Sequence, residues 1–310
     1  MERGSTLKPL GPLAGQVYQV LDSRFDACVM PGGRAERIWT GGRWTEGPAW
    51  FAAGYLIWSD IPNDVMWRWD EATNAASIFR HPAAAANGNT VDREGRLVTC
   101  EQNLRRIART EADGKTTVLA TAYHGKRFNS PNDVVVKSDG TIWFSDPSYG
   151  VGANGYEGKR VLKGCHVYRA DPATGEVTQV TTDMIMPNGL AFSPDEALLY
   201  IVDTGSTHVP DGPNHIRRFT VGPDGSLAGG EVLVDQSAKL YDGLRIDSAG
   251  RLWCATEDGV HCHAPDGRLI GKLRLPERAA NLTFGGNDGQ SLLVTATTSL
   301  YRVPIHAQRA

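Results

Sequence analysis

The 310-residue sequence contains no apolar run approaching the ~20 residues that a membrane-spanning helix requires. It also lacks an excess of positive charge. Its 32 Lys and Arg against 35 Asp and Glu leave a net charge of −3, which argues against the basic face that nucleic acid would demand. Cysteine is scarce. Cys28, Cys100, Cys165, Cys254 and Cys262 form no Cys-x-x-Cys pair, and an odd, scattered set suits a reducing compartment better than a disulfide framework. They read as buried small hydrophobic side chains. Residues 1–33 have neither the basic start nor the apolar core of a secretory signal. The expectation is a cytoplasmic protein with an irregular lead-in over 1–35 and one domain over 36–310. No Gly-x-Ser-x-Gly elbow and no phosphate-binding P-loop occurs, which removes the two commonest sequence signatures of serine hydrolases and nucleotide enzymes. Long amphipathic helical patterns are missing as well.

What is present instead is turn chemistry. The chain has 35 Gly and 8 Trp, and short β-rich runs are punctuated by Asp-Gly, Ser-Asp-Gly and Pro-Asp-Gly turns. These runs repeat. Six segments begin with Glu46, Asn89, Asn132, Asn188, Asp242 and Asn281, and each continues as an alternating strand, a tight turn and a second strand rich in Leu, Ile and Trp. Successive anchors lie 43, 43, 56, 54 and 39 residues apart, the period of propeller blades. A third strand with a basic residue recurs in every unit, as in Met66-Trp-Arg-Trp69 and His166-Val-Tyr-Arg169, and most units add a fourth. The predicted fold is therefore all-β: a six-bladed β-propeller of four-stranded antiparallel blades. The last unit runs out of chain after its third strand, so Glu36-Arg-Ile-Trp-Thr40 is expected to supply the fourth and close the ring.

In such a fold the innermost strands line a central channel, and residues at equivalent positions meet around one axis. All six anchors carry a side-chain oxygen, two of them as carboxylates, Glu46 and Asp242. Hard divalent cations take such oxygen ligands. Taken singly, Asn188-Gly189 and Asp242-Gly243 also read as turn dipeptides. No His/Cys cluster of zinc spacing appears, and His261 and His263, two apart on one strand, read as structural.

At these residues the sequence resembles the senescence marker protein / gluconolactonase / luciferin-regenerating enzyme family, most of all its bacterial gluconolactonases. The resemblance covers about Ile38 to Val303 and is carried by Glu46-Gly-Pro48, Asn129-Ser-Pro-Asn-Asp133 with Ser145-Asp-Pro147, Pro187-Asn-Gly-Leu190 and Tyr241-Asp-Gly-Leu244. It implies the same propeller, the opening of sugar lactones, and one divalent cation. Ca²⁺ is the first expectation, with Mg²⁺, Mn²⁺ or Zn²⁺ as alternatives. The implied metal ligands are Glu46, Asn188 and Asp242, with Asn132 contacting metal or substrate. Asn89 and Asn281 share the register without a ligand motif; Asn89 is assigned to substrate. Two departures stand out: Ser130 replaces the Arg of animal members, and Cys100-Glu-Gln102 stands where many bacterial relatives have Cys-Glu-His.

The chemistry expected is attack of an activated water on a polarised carbonyl, with Asp242 as the base and Glu46 as a pure ligand. The partner is a small-molecule sugar lactone. Two insertions, Pro147 to Gly164 and Thr204 to Asn214, account for the longer spacings, and long loops on a rigid scaffold often cover binding sites. Tyr149 in the first is placed against a sugar ring, and 147–164 reads equally as a lid or as a surface loop. Two alternatives remain at this level. One is a phosphotriesterase or arylesterase on the same metal site, the other a non-enzymatic calcium-binding propeller.

Overall fold

The computed structural model describes residues 10–152, 159–235 and 238–308. The described residues form six blades. Blade 1 is Thr45–Phe51, Tyr55–Asp60, Val65–Asp70 and Ala75–Arg80, running from the channel outward. Blade 2 is Ala86–Val91, Leu97–Glu101, Arg106–Thr110 and Thr116–Ala120, and blade 3 is Val134–Val136, Ile142–Asp146, His166–Ala170 and Val177–Thr181. Blade 4 is Pro187–Phe192, Leu198–Asp203, His215–Val221 and Leu227–Asp235. Blade 5 is Tyr241–Ile246, Leu252–Thr256, Gly259–His263 and Leu269–Arg274. Blade 6 is Ala279–Gly285, Ser291–Ala296 and Ser299–Pro304, completed by Glu36–Thr40.

The closing strand pairs antiparallel to Ser299–Pro304, with Thr40 opposite Ser299 and Glu36 opposite Arg302, as the strand arithmetic requires. The lead-in differs from its sequence reading. Gly11–Pro12 adds a fifth strand to blade 6 and Tyr18–Val20 a fifth strand to blade 5. A 3-10 turn over Ser23–Cys28, started by the Asp22 side chain accepting from the Arg24 amide, buries Phe25 and Cys28 against blade 5. Strands of two and three residues are too short to show alternation, so an irregular segment was the natural expectation.

The hairpins follow from the turn residues. Asp92 Oδ1 accepts from the amides of Glu94 and Arg96, and Asp247 Oδ1 from those of Ala249 and Arg251. In each, the arginine returns its Nε to the same carboxylate at 2.7 Å, and a left-handed glycine, Gly95 or Gly250, makes the reversal.

Core packing is divided among the blade interfaces. One apolar cluster lies between each neighbouring pair of blades, and the second strands supply large anchors to them. Trp58, Trp143 and Trp253 are fully buried in three such wedges. Each removes roughly 200 Å² from water, worth on the order of 5 kcal/mol of transfer free energy. The indole N–H of Trp253 donates to Asp247 and that of Trp143 to Thr141, so these two polar edges are satisfied. All five cysteines are free and buried. Because the apolar mass lies between blades, the axis is left to polar side chains.

Candidate functional site

The six innermost strands run the same way along the axis, so their first residues meet at one end of the channel. A bulge sits at the start of five of them. The pairing slips between Glu46 and Ala49, Ala86 and Asn89, Pro187 and Leu190, Tyr241 and Leu244, and Ala279 and Asn281. Such an extra residue re-aims the side chain beside it. Aligned on the close approaches between neighbouring inner strands, the ring consists of Glu46, Asn87, Asn132, Asn188, Asp242 and Ala280.

Four ring residues are followed by glycine, and close approach explains why. A Cβ on Gly47, Gly88 or Gly189 would lie 2.1, 2.4 or 2.5 Å from a carbonyl oxygen of the next inner strand, and on Gly243 2.3 Å from Asn281. Only glycine lets neighbouring blades converge this tightly.

A cavity of about 490 Å³ opens at this end. It is lined by Glu46, Asn132, Asn188, Asp242 and Tyr149, so the structure gathers five of the six residues assigned to the site from sequence. Asn89 is the exception. It is fully buried away from this cavity, where its Nδ2 donates to Gly47 O, Ser59 Oγ and Asn87 O and its Oδ1 accepts from Thr99. The blade-2 ring position is two residues earlier, at Asn87, whose carbonyl meets Gly47. Asn281 is displaced by one. Its Nδ2 reaches Glu46 Oε2 at 3.1 Å, but blade 6 places Ala280 on the ring.

The two ring carboxylates are held under electrostatic strain. Burial, with repulsion from Asp242 and Asp133, drives the Glu46 carboxyl well above its ordinary range, although the Gly47 amide and Asn281 both donate to it. Burial pushes Asp242 up to about 7, against the pull of Arg278 and of an Asn188 hydrogen bond, with Asp133 adding repulsion. Arg278 lies 3.5 Å from Asp242 Oδ2. Asn87 Oδ1 is buried with no hydrogen-bond partner among the described residues. An acceptor without a donor beside two crowded acids is the chemistry of a hard cation site. Among the described residues no three His, Cys, Asp or Glu side chains gather to hold a metal. A cation here would therefore rest on two carboxylates and on amide oxygens, and the residues present fit one.

Sequence reasoning gave no sign of Arg43, Trp44 and Arg278, and it reached Gln102 only as a departure from a family motif and Thr204, Thr207 and His208 only as part of an insertion; all seven line the cavity. Thr204, Thr207 and His208 come from the blade-4 insertion, whose first turn is a 3-10 helix over Gly205–Thr207. The ring of His208 lies 5.1 Å from that of Tyr149, so the two insertions touch over the cavity. The Tyr149 hydroxyl is buried beside Thr204 and Thr207 without completing a hydrogen bond. The lid reading of 147–164 falls in part on 153–158, outside the described residues. Its described start is tied down, with Ser130 Oγ donating to Pro147 O and accepting from the Gly150 amide, both at 2.9 Å. The two paired histidines are structural: His261 Nε2 lies 2.7 Å from Asp258, and His263 Nδ1 3.1 Å from Gly267 O.

A ring of oxygen side chains at the mouth of a six-bladed propeller defines a class, and the wider similarities agree with it. Residues 44–298 match the SMP-30/Gluconolactonase/LRE-like region, and the chain belongs to that family. A gluconolactonase of Zymomonas mobilis is 30% identical, the match covering 90% of this chain and 83% of that enzyme. The solved gluconolactonase of Xanthomonas campestris is 32% identical with a TM-score of 0.88, covering 97% of this chain and 99% of that one. A luciferin-regenerating enzyme, at 18% identity and a TM-score of 0.75 over 90% of this chain and 98% of its own, shares the fold. No helix among the described residues is long and apolar enough to cross a membrane.

Proposed function

We propose that this chain hydrolyses sugar lactones at the ring end of its channel with the help of one divalent cation, Ca²⁺ in the first instance. The observation that carries the reading is the convergence of two buried carboxylates, Glu46 and Asp242, with the amides of Asn87, Asn132 and Asn188 in one cavity. The relatives named above support the substrate class. Glu46, Asn132, Asn188 and Asp242 would hold the cation, with Asn87 beside them. Bound there, it would polarise the lactone carbonyl and acidify water.

The chain's own groups carry the protons. Asp242, near 7 before a cation binds, accepts the proton of the attacking water as the new C–O bond forms. The ring C–O bond then breaks, and the proton held by Asp242 passes to the departing alkoxide. Asn188 and Arg278 keep the Asp242 carboxylate in place. Tyr149, half-buried on the cavity wall, offers an aromatic face to the sugar. Glu46, hydrogen-bonded by Gly47 and Asn281, is fixed and serves as a ligand.

The test is a pH-stat assay of D-glucono-1,5-lactone and other aldonolactones, with and without chelator. Activity abolished by chelation and restored by Ca²⁺, Mg²⁺, Mn²⁺ or Zn²⁺ supports the reading and ranks the ions. Hydrolysis that survives complete metal removal sinks it.

A further inference from the structure

The cavity sets two arginines against two acids, and a divalent cation would claim both acids. Its lining acids are Glu46 and Asp242; its arginines are Arg43 and Arg278. Once both acids are matched to a divalent cation, the two guanidinium groups have no counter-charge. Arg43 forms no ion pair with a described carboxylate, and its side chain makes a single long contact, 3.5 Å to Pro62 O. Arg278 reaches Asp242 at 3.5 Å and keeps a buried Nε without a hydrogen-bond partner among the described residues. An unsatisfied buried donor is costly unless a ligand completes it.

Both arginines are mounted on fixed backbone. The amides of Arg43 and Trp44 donate to Asp60 Oδ1 at 3.1 and 3.3 Å, while Asn63 grips the other oxygen of that carboxylate at 2.7 Å. The carbonyl of Arg278 accepts from the Thr297 amide at 3.0 Å. The Arg278 guanidinium lies 4.8 Å from the centre of the Trp44 ring, which holds it flat and partly dehydrated. Flat, weakly hydrated guanidinium groups suit the forked recognition of carboxylate or phosphate oxygens. Height in the cavity matters too. Glu46 and Asp242 are buried at its floor, Arg278 is half-buried and Arg43 is exposed at the rim.

We propose that Arg43 and Arg278 form a subsite for an anionic group at the end of the sugar remote from the lactone carbonyl, so that the preferred substrates are acidic sugar lactones. This rests on the lactonase reading above, which fixes the carbonyl at the floor.

The test compares matched pairs: D-glucono-1,4-lactone with D-glucaro-1,4-lactone, and D-glucono-1,5-lactone with its 6-phosphate. Within each pair the ratio of kcat/KM, anionic over neutral, is read in the wild type, Arg43→Gln and Arg278→Gln. Because the ratio is taken within one protein, any general loss of activity cancels. The wild-type ratio should be about tenfold or more at low salt, the scale of one charge-assisted contact. It should fall toward unity in both variants and with rising ionic strength. A preference confined to one pair identifies carboxylate or phosphate as the group taken. A wild-type ratio near unity, or a ratio that both substitutions leave intact, overturns the subsite while leaving lactone hydrolysis standing. If no lactone is opened at all, the lactonase reading has failed, and calorimetry decides the subsite separately. Tighter binding of D-glucarate than of D-gluconate, lost in Arg43→Gln, upholds it; equal affinities overturn it.

Discussion

The two ends of the channel are built from the same six strands and behave in opposite ways. At the end where the strands begin, Asn87 Oδ1 and Arg278 Nε are buried without hydrogen-bond partners among the described residues, the Tyr149 hydroxyl is buried beside Thr204 and Thr207, and two carboxylates are pushed toward protonation. Where the strands end, a second cavity of about 460 Å³ is lined by Asn89, Arg93, Glu196 and Arg245 among others. There the polar groups are matched. Arg245 meets the buried Asp133 at 3.2 Å, Arg93 meets Glu196 at 3.1 Å, and the amide of Asn89 is saturated. Both ends are polar, so polarity alone does not mark function. The difference lies in which polar groups the fold leaves for something else to complete.

The sharpest break in this contrast is Asp242→Asn. Turnover should fall by about 10³-fold, within the range for losing a general base. The melting temperature should hold or rise, since a strained buried acid is removed; a steady-state assay beside a thermal melt reads both. At the far end the signs reverse. Arg245→Met strands Asp133 and should cost about 3–5 kcal/mol of stability by denaturant titration, while kcat/KM per folded molecule should fall far less than in Asp242→Asn, through the Asp133 repulsion of the two ring acids alone. The two asparagines of blade 2 divide in the same way, two residues apart. Asn89→Ala should lose roughly 1–3 kcal/mol by leaving its partners unpaired, whereas Asn87→Ala should leave stability near wild type and weaken cation binding by calorimetry. The mildest effect is on pH. Asp242 and Asp146 are both raised to about 7 in the folded protein. Their unfolded values lie near the ordinary ~4, so the folded state holds extra protons between the two limits. The stability they contribute is complete below pH ~4 and is lost as pH rises to about 7. The metal-free protein should therefore melt a few degrees lower at pH 8 than at pH 5, and a divalent cation should raise the melt more at pH 8.

The propeller was legible because its blades repeat, and the closing strand followed from counting strands in the last unit. Glu46, Asn188 and Asp242 stood out through the repeat register and the family motifs; the structure adds that each precedes a glycine that convergence of the blades demands. The same rule points to Asn87-Gly88. Alignment on Asn89 failed because two asparagines lie two residues apart on one strand, and the register alone does not say which of them precedes the close approach. Blade 6 breaks the pattern with Ala280, and Asn281 imitates an anchor one position late. Arg278, Thr204 and His208 sit on connections between strands, where no periodicity exists to reveal them. The lead-in strands were hidden by brevity.

The closure of blade 6 has a consequence for synthesis. Glu36 and Arg302 pair across 266 residues of sequence. The strand Glu36–Thr40 leaves the ribosome long before its partner Ser299–Pro304. Throughout translation the nascent chain is a widening arc with one strand edge unmatched, open to mispairing with neighbouring chains. Sealing is a single late event of very long range, which makes it slow. Until Ser299–Pro304 is made, Glu36–Thr40 is half of a clasp whose other half does not yet exist.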